Sequence, residues 1–168
     1  DLIWGVNGHP ITAYPGVALN DQFALVRDLG FTHYRINLRG DGSADQLEEI
    51  LRAADSWNIT ILPILVGVEL DLDKTPPNEI KAANFELARK MAARFKGRVP
   101  IWELGNELEN YAIIQPCEMR DDGSQYPCEW GPAGGVGPLE YFGPRWSKVS
   151  AVLSGLAEGV AAADKKAL

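Results

Sequence analysis

Two observations predict a parallel α/β fold. Short apolar runs alternate with amphipathic helical stretches four times along the 168 residues, and most of those runs are nearly continuous in apolar residues. Strands covered on both faces read as near-continuous apolar segments, and strand–helix alternation is the pattern of a parallel sheet.

The elements follow in order. Leu2 to Val6 is the first apolar run, and the stretch through His9, Pro10, Pro15 and Gly16 is turn-rich. A helix fits about Asn20 to Leu29, with Phe23, Val26 and Leu29 on one face and Gly30 as its stop. His33 to Leu38 is the second run. Gly40-Asp41-Gly42 then breaks the chain, Ser43 stands where a helix cap is needed, and Gln46 holds the capping-box position. Leu47, Ile50, Leu51, Ala54 and Trp57 recur at helical spacing. The third run, Ile59 to Val68, is rich in β-branched residues. Thr75-Pro76 starts a third helix whose apolar stripe is Ile80, Leu87, Ala88, Met91 and Phe95, ended by Lys96-Gly97. Val99 to Gly105 is the fourth strand. A long irregular stretch of about 108–143 precedes a last helix from about Arg145 to Lys166. Its predicted buried face is Trp146, Val149, Val152, Leu153, Leu156 and Val160, with the closing lysines suited to the helix dipole.

Two architectures suit four such units: a small doubly wound sheet, or part of a (β/α)8 barrel. A complete barrel takes roughly 250 residues, so this length holds about half of one. The doubly wound alternative lacks a G-x-G-x-x-G turn after its first strand and a phosphate-binding G-x-x-x-x-G-K-[ST] loop. A flavodoxin-like domain stays open on these grounds.

Composition narrows the function. The chain is 46% hydrophobic and 23% charged, the proportions of a soluble globular domain. Sixteen basic against twenty-three acidic residues leave a net charge of -7, without the basic footprint that a phosphate backbone requires, so nucleic acid is not an expected partner. No run approaches eighteen apolar residues, so no membrane span is expected. The first ten residues lack the regions of a signal peptide, and the amino terminus reads as trimmed.

The segment richest in chemistry is Ile101-Trp102-Glu103-Leu104-Gly105-Asn106-Glu107-Leu108-Glu109. It puts an Asn-Glu pair where a strand leaves the sheet, the end at which α/β barrels build active sites. A carboxylic acid beside an amide able to bind a sugar hydroxyl suits glycosidic bond cleavage. The run W-E-L-G-N-E resembles the acid/base motif of the clan A glycoside hydrolases, retaining (β/α)8 enzymes, and is closest in wording to families 39, 51, 79 and 5. Trp4-Gly5-Val6-Asn7 in strand one and Tyr34-Arg35-Ile36-Asn37 in strand two match in the same order.

The resemblance implies that Glu107 is the general acid/base, that Asn106 bonds the sugar 2-hydroxyl, and that Arg35 orients the nucleophile from the floor of the site. A buried ion pair is the competing reading of Arg35. Strand alternation puts Glu103, Gly105 and Glu107 on one side if no bulge intervenes, but four residues of strand span about 13 Å, too far for a catalytic pair. Glu103 therefore reads as a structural partner for Arg35, and Glu109 as a loop charge. The nucleophile of a retaining enzyme lies about 5–5.5 Å from the acid/base, and in clan A it comes from the seventh strand, beyond these four units. Glu69, Asp71 and Asp73 read as loop charges or substrate contacts.

The resemblance thus predicts the amino-terminal half of a glycosidase acting on an oligo- or polysaccharide, inactive alone. Its partners are the carbohydrate and either the remaining half-barrel, on the same or a nicked polypeptide, or a second copy of the chain. A non-catalytic carbohydrate-binding or interaction module is the alternative.

The loop at 108–143 carries Tyr111, Tyr126, Trp130, Tyr141 and Phe142, residues that either stack on sugars or form a small loop core. Trp130 is the preferred sugar platform and Tyr111 a further contact, whereas Trp102 reads as packed behind its strand. His9, on the rim after strand one, is a candidate sugar contact, and His33, at the opposite end, a structural residue. Cys117 and Cys128, the only cysteines, are expected to pair in this polar loop; two free thiols are the alternative. A disulfide implies an oxidising, secreted or periplasmic setting. No histidine accompanies the cysteines, so no zinc site is expected, and no cofactor is implied.

Overall fold

The computed structural model describes residues 3–10, 13–14 and 16–167. Four parallel strands, β1 (Gly5–Gly8), β2 (His33–Leu38), β3 (Thr60–Leu65) and β4 (Glu103–Leu104), lie side by side in chain order. Helices α1 (Leu19–Asp28), α2 (Ala44–Ser56), α3 (Pro77–Arg94) and α4 (Gly143–Ala163) follow them in turn. Tyr34, Ile36, Leu38, Ile61 and Leu65 join Phe23, Leu47, Ile50, Ile80, Met91 and Leu156 of the helices in one buried cluster. The register aligns Asn7 with Arg35, Arg35 with Leu62, and Ile64 with Glu103 on the other face. There Arg35, Asn37, Leu62 and Glu103 are only partly buried, while Ile64 is fully so. A doubly wound sheet reverses its strand order at a switch point and carries helices on both faces. This order has no reversal, so the flavodoxin-like alternative does not describe it.

Element identity agrees with the sequence reading throughout, and the differences have local causes. The predicted start of strand one at Leu2, and the turn residue Pro15, lie outside the described residues. The strand forms later than its apolar run: Ile3 and Trp4 are 67% and 60% exposed beside the sheet, and pairing with β2 extends through Asn7 and Gly8. Strand three stops at Leu65 rather than Val68 because Gly67 turns the backbone at φ 109°. Strand four shrinks to two residues. Pro100 has no N–H to give a ladder, and the Val99 N–H is already spent on the Phe95 carbonyl at 3.1 Å.

Two helix faces need correction. Leu29, 62% exposed, lies beyond the last turn of α1, whose buried residues are Gln22, Phe23 and Val26. In α4, Trp146 and Leu153 are 42% and 37% exposed, at the margin of the face carrying Val149, Val152, Leu156 and Val160. That helix also ends at Ala163, where the buried Asp164 accepts from the Lys166 N–H, so the lysines lie past the helix rather than in it. The capping box is absent. Ser43 donates its hydroxyl to the Arg39 carbonyl at 2.6 Å, and no side chain caps α2.

The tightest contact between helices joins α3 and α4. A Cβ on Gly155 would stand 2.4 Å from the Lys81 carbonyl oxygen, and one on Gly159 2.4 Å from that of Phe85. Two glycines one turn apart therefore let α4 lie directly on the α3 backbone. Beside them the fully buried Asn84 donates to the Ile80 carbonyl at 2.8 Å and accepts from the Val68 N–H at 3.0 Å. That second bond ties the exit of β3 to α3.

Candidate functional site

Arg35 is the hub of the carboxyl end of the sheet. It faces away from the helices by strand alternation, and its Nε donates to Glu103 Oε2 at 2.6 Å while Nη2 pairs with Glu103 Oε1. The same Nη2 reaches Asn106 Oδ1 at 3.2 Å, and Nη1 reaches Asn7 Oδ1 at 3.4 Å. One planar guanidinium thus spans β1, β2, β4 and the turn after β4, a fork geometry that lysine cannot supply. The Arg35 pKa is raised, first by the hydrogen bond to Glu103 and further by the charges of Glu103 and Glu107, against an opposing desolvation. It is a permanent cation. The ion-pair reading of Arg35, with Glu103 as partner, is what the structure shows.

Because Asn106 Oδ1 is occupied by Arg35, its Nδ2 is oriented as a free donor. Glu107 follows, exposed at the strand exit. The expected side-by-side arrangement of Glu103, Gly105 and Glu107 fails, since Gly105 at φ 78° and Glu107 at φ 50° both adopt left-handed backbone and break the two-residue period. Gly105 is favoured there twice over, as a Cβ would also lie 2.5 Å from Leu108 Cδ1. A glutamate in that region costs of order 1 kcal/mol, and such strain gathers at functional sites. Glu107 lines a recess of about 180 Å³ with Asn106, Leu108, Trp146 and Leu153, and its charge still acts on Arg35. Glu69, the other carboxylate at a strand exit, lines a different recess of about 250 Å³ with Arg39 and Leu108.

The long loop is tied to this end by part-buried and exposed polar contacts that its sequence did not reveal. Arg145, at the start of α4, forms a bidentate pair with Glu118 at 2.6 and 2.7 Å and bonds the Ile113 carbonyl at 2.8 Å. Lys148 donates to the carbonyls of Leu72 and Asp73. Tyr111, in a short 3-10 turn, gives its hydroxyl to Asp73 at 2.7 Å, and burial together with that carboxylate pushes its pKa up to about 12. The loops after β3 and β4 are thereby held together, and the Tyr111 hydroxyl is already engaged.

The loop aromatics divide between the two roles considered for them. Tyr126 is buried, donates to the Gly131 carbonyl at 3.1 Å and meets Trp130 edge-to-face at 5.8 Å. Tyr141 packs on Trp146 at 5.0 Å and bonds the Gly135 carbonyl. Trp130 alone of the five named aromatics presents a largely open ring, 57% exposed. Trp102 is 5% exposed and packs on Phe95. Cys117 and Cys128 are joined in a disulfide that closes the stretch just before Trp130 in sequence. His33 begins β2 and bonds Thr32, far from this end. His9 stands just past β1, beside Asn37 and Arg39.

Asn7, Asn37 and Arg39 also line this end of the sheet, though the sequence assigns them no role in the site. Period-two counting from Arg35 puts Asn37 on its face, which was a usable signal; the reach of Asn7 across to Arg35 depends on register. Among the described residues no group of three or more His, Cys, Asp or Glu side chains is placed to hold a metal ion. No described helix is long and apolar enough to cross a membrane. No protein-family model matches the chain, and no curated protein matches it to significance.

Proposed function

We propose that this chain is the strand-one-to-four half of a retaining β-glycosidase barrel, acting on an oligo- or polysaccharide with Glu107 as acid/base. The observation that carries the reading is the Arg35 hub, which orients Asn106 and stands behind an exposed Glu107 at the carboxyl end of a parallel sheet. Sequential strand order and a second sheet face carrying Arg35, Asn37 and Glu103 beside Leu62 and Ile64 suit a sheet that curls into a barrel. Exposed apolar side chains on both flanks, Ile3 and Trp4 beside β1 and Ile101, Trp146 and Leu153 beside β4 and α4, suit further βα units packing there.

In this mechanism Glu107 protonates the glycosidic oxygen and later deprotonates the attacking water, Asn106 Nδ2 holds the 2-hydroxyl, and Arg35 keeps Asn106 in place. The nucleophilic carboxylate comes from the strands that complete the barrel, on the same polypeptide or a second copy. The disulfide supports an oxidising, extracytoplasmic setting. The test is hydrolysis of natural oligosaccharides and nitrophenyl glycosides by the assembled protein. Glu107→Gln should slow cleavage of the unactivated substrates by about 10²–10⁴-fold and spare the first burst of nitrophenolate, which needs little acid help, while the base-assisted hydrolysis that follows becomes slow. Equal activity of the variant on unactivated substrates overturns the assignment.

The openness of Trp130 above Tyr126 favours one second reading, a carbohydrate-binding module without catalysis. Sugar binding that Trp130→Ala abolishes, with no turnover in the assembled protein, would select it.

A further inference from the structure

A cavity of about 350 Å³ opens at the carboxyl ends of β1 and β2, lined by His9, Asn37, Arg39, Ser43 and Gln46 among others. We propose that it is an anion-binding subsite that receives the carboxylate or sulfate of an acidic sugar. Its lining is rich in hydrogen-bond donors. Arg39 brings a guanidinium, Asn37 and Gln46 bring amide N–H groups, and the His9 imidazole carries an N–H in either tautomer. No described side chain lining it is acidic, and Arg39 forms no ion pair with a described carboxylate, Glu69 sharing only the neighbouring recess with it. That is unusual in a chain of net charge -7, whose overall field repels anions unless a local cation reverses it.

The cavity is anchored to its surroundings. Ser43, 5% exposed, bonds the Arg39 carbonyl at 2.6 Å and fixes the backbone from which the guanidinium projects. Asn37 lies two residues beyond Arg35 on the same strand face, about 7 Å along β2, so the cavity continues the surface on which Arg35 and Asn106 sit. A planar guanidinium flanked by amides matches the paired oxygens of a carboxylate or sulfate. Placing that anion on a substrate sugar rests on the glycosidase reading, whereas the anion preference of the cavity does not.

The test is a ¹⁵N-detected NMR titration of the 168-residue chain with sodium glucuronate, glucose 6-sulfate and glucose. Both anionic sugars, or one of them, should give saturable shifts at the Arg39 and Gln46 side-chain N–H groups while glucose gives none there. The responding probe identifies the anion. Arg39→Gln, at an exposed position, should weaken that binding roughly tenfold to hundredfold, the worth of a charge-assisted hydrogen bond. Absence of response to either anion, an equal response to glucose, or affinity unchanged by Arg39→Gln overturns the proposal. Anion binding in a protein that hydrolyses no glycoside would leave the cavity assignment standing and remove the catalytic one.

Discussion

Gly159→Ala reports on how α4 is seated, because two opposing effects predict opposite signs. In an unencumbered helix interior the change stabilises by about 1 kcal/mol. Here the new methyl would stand 2.4 Å from the Phe85 carbonyl oxygen, 2.8 Å from Ala88 Cβ and 3.0 Å from the Arg89 nitrogen. Two of those three atoms belong to the α3 backbone and cannot rotate aside, so α4 must retreat by about 1 Å, a gap that forfeits a quarter to a half of each contact energy along the seam. Overpacking costs about 1–3 kcal/mol, and a rigid backbone neighbour puts this site at the upper end. The net expectation is about 2 kcal/mol of destabilisation, a fall in Tm of about 4–8 °C for a chain of this size. Urea and thermal unfolding followed by circular dichroism would measure it. Gly155→Ala meets the Lys81 carbonyl in the same way, and the double variant should cost less than the sum because one retreat relieves both clashes. A Gly159→Ala protein more stable than the parent would refute the close packing of α3 on α4.

Asn84→Ala removes the acceptor of the Val68 N–H and leaves that donor without its partner; a loss of about 2–3 kcal/mol is expected, with faster hydrogen exchange at Val68 as the local signature. Glu118 has its pKa lowered, chiefly by the hydrogen bond from Arg145. A depressed carboxylate contributes stability that is fully present above the ordinary glutamate pKa of about 4.3 and is lost as pH falls through the folded value. Loop anchoring should therefore weaken below about pH 4; an NMR titration of Glu118 at or above the ordinary value would contradict the pairing. Reduction of Cys117–Cys128 releases a closed loop of about a dozen residues, worth about 3 kcal/mol in the chain-entropy picture. It should increase protease cleavage between Gln115 and Trp130 and change the Trp130 fluorescence while the circular dichroism of the helices persists.

Local chemistry made much of this molecule legible before any coordinates. His33–Leu38 is readable to the residue as a strand, because Tyr34, Ile36 and Leu38 stand at alternate positions between the breakers Gly30 and Gly40. The stripe Ile80, Leu87, Ala88, Met91 and Phe95 is buried as its spacing requires, the cysteines pair, and Glu103 answers Arg35 across 68 residues. Strand ends and the cap of α2 differ for local reasons, at Gly67, Pro100 and Ser43, whereas the start of strand one is decided by a neighbour distant in sequence. Strand one follows the register that β2 imposes, so its paired residues shift away from its most apolar ones.

The composition and order of residues thus determined the class of fold, the number of units and the types of side chain gathered where β4 ends, since periodicity and turn chemistry act within a few residues. Tertiary structure alone decided that Asn7, Arg35, Glu103 and Asn106 form one network and that Glu107 leaves it on left-handed backbone. It also assembled His9, Asn37 and Arg39 around one cavity. Those relations depend on sheet register and on two positive-φ residues, and both arise from contacts between segments that a linear pattern does not encode.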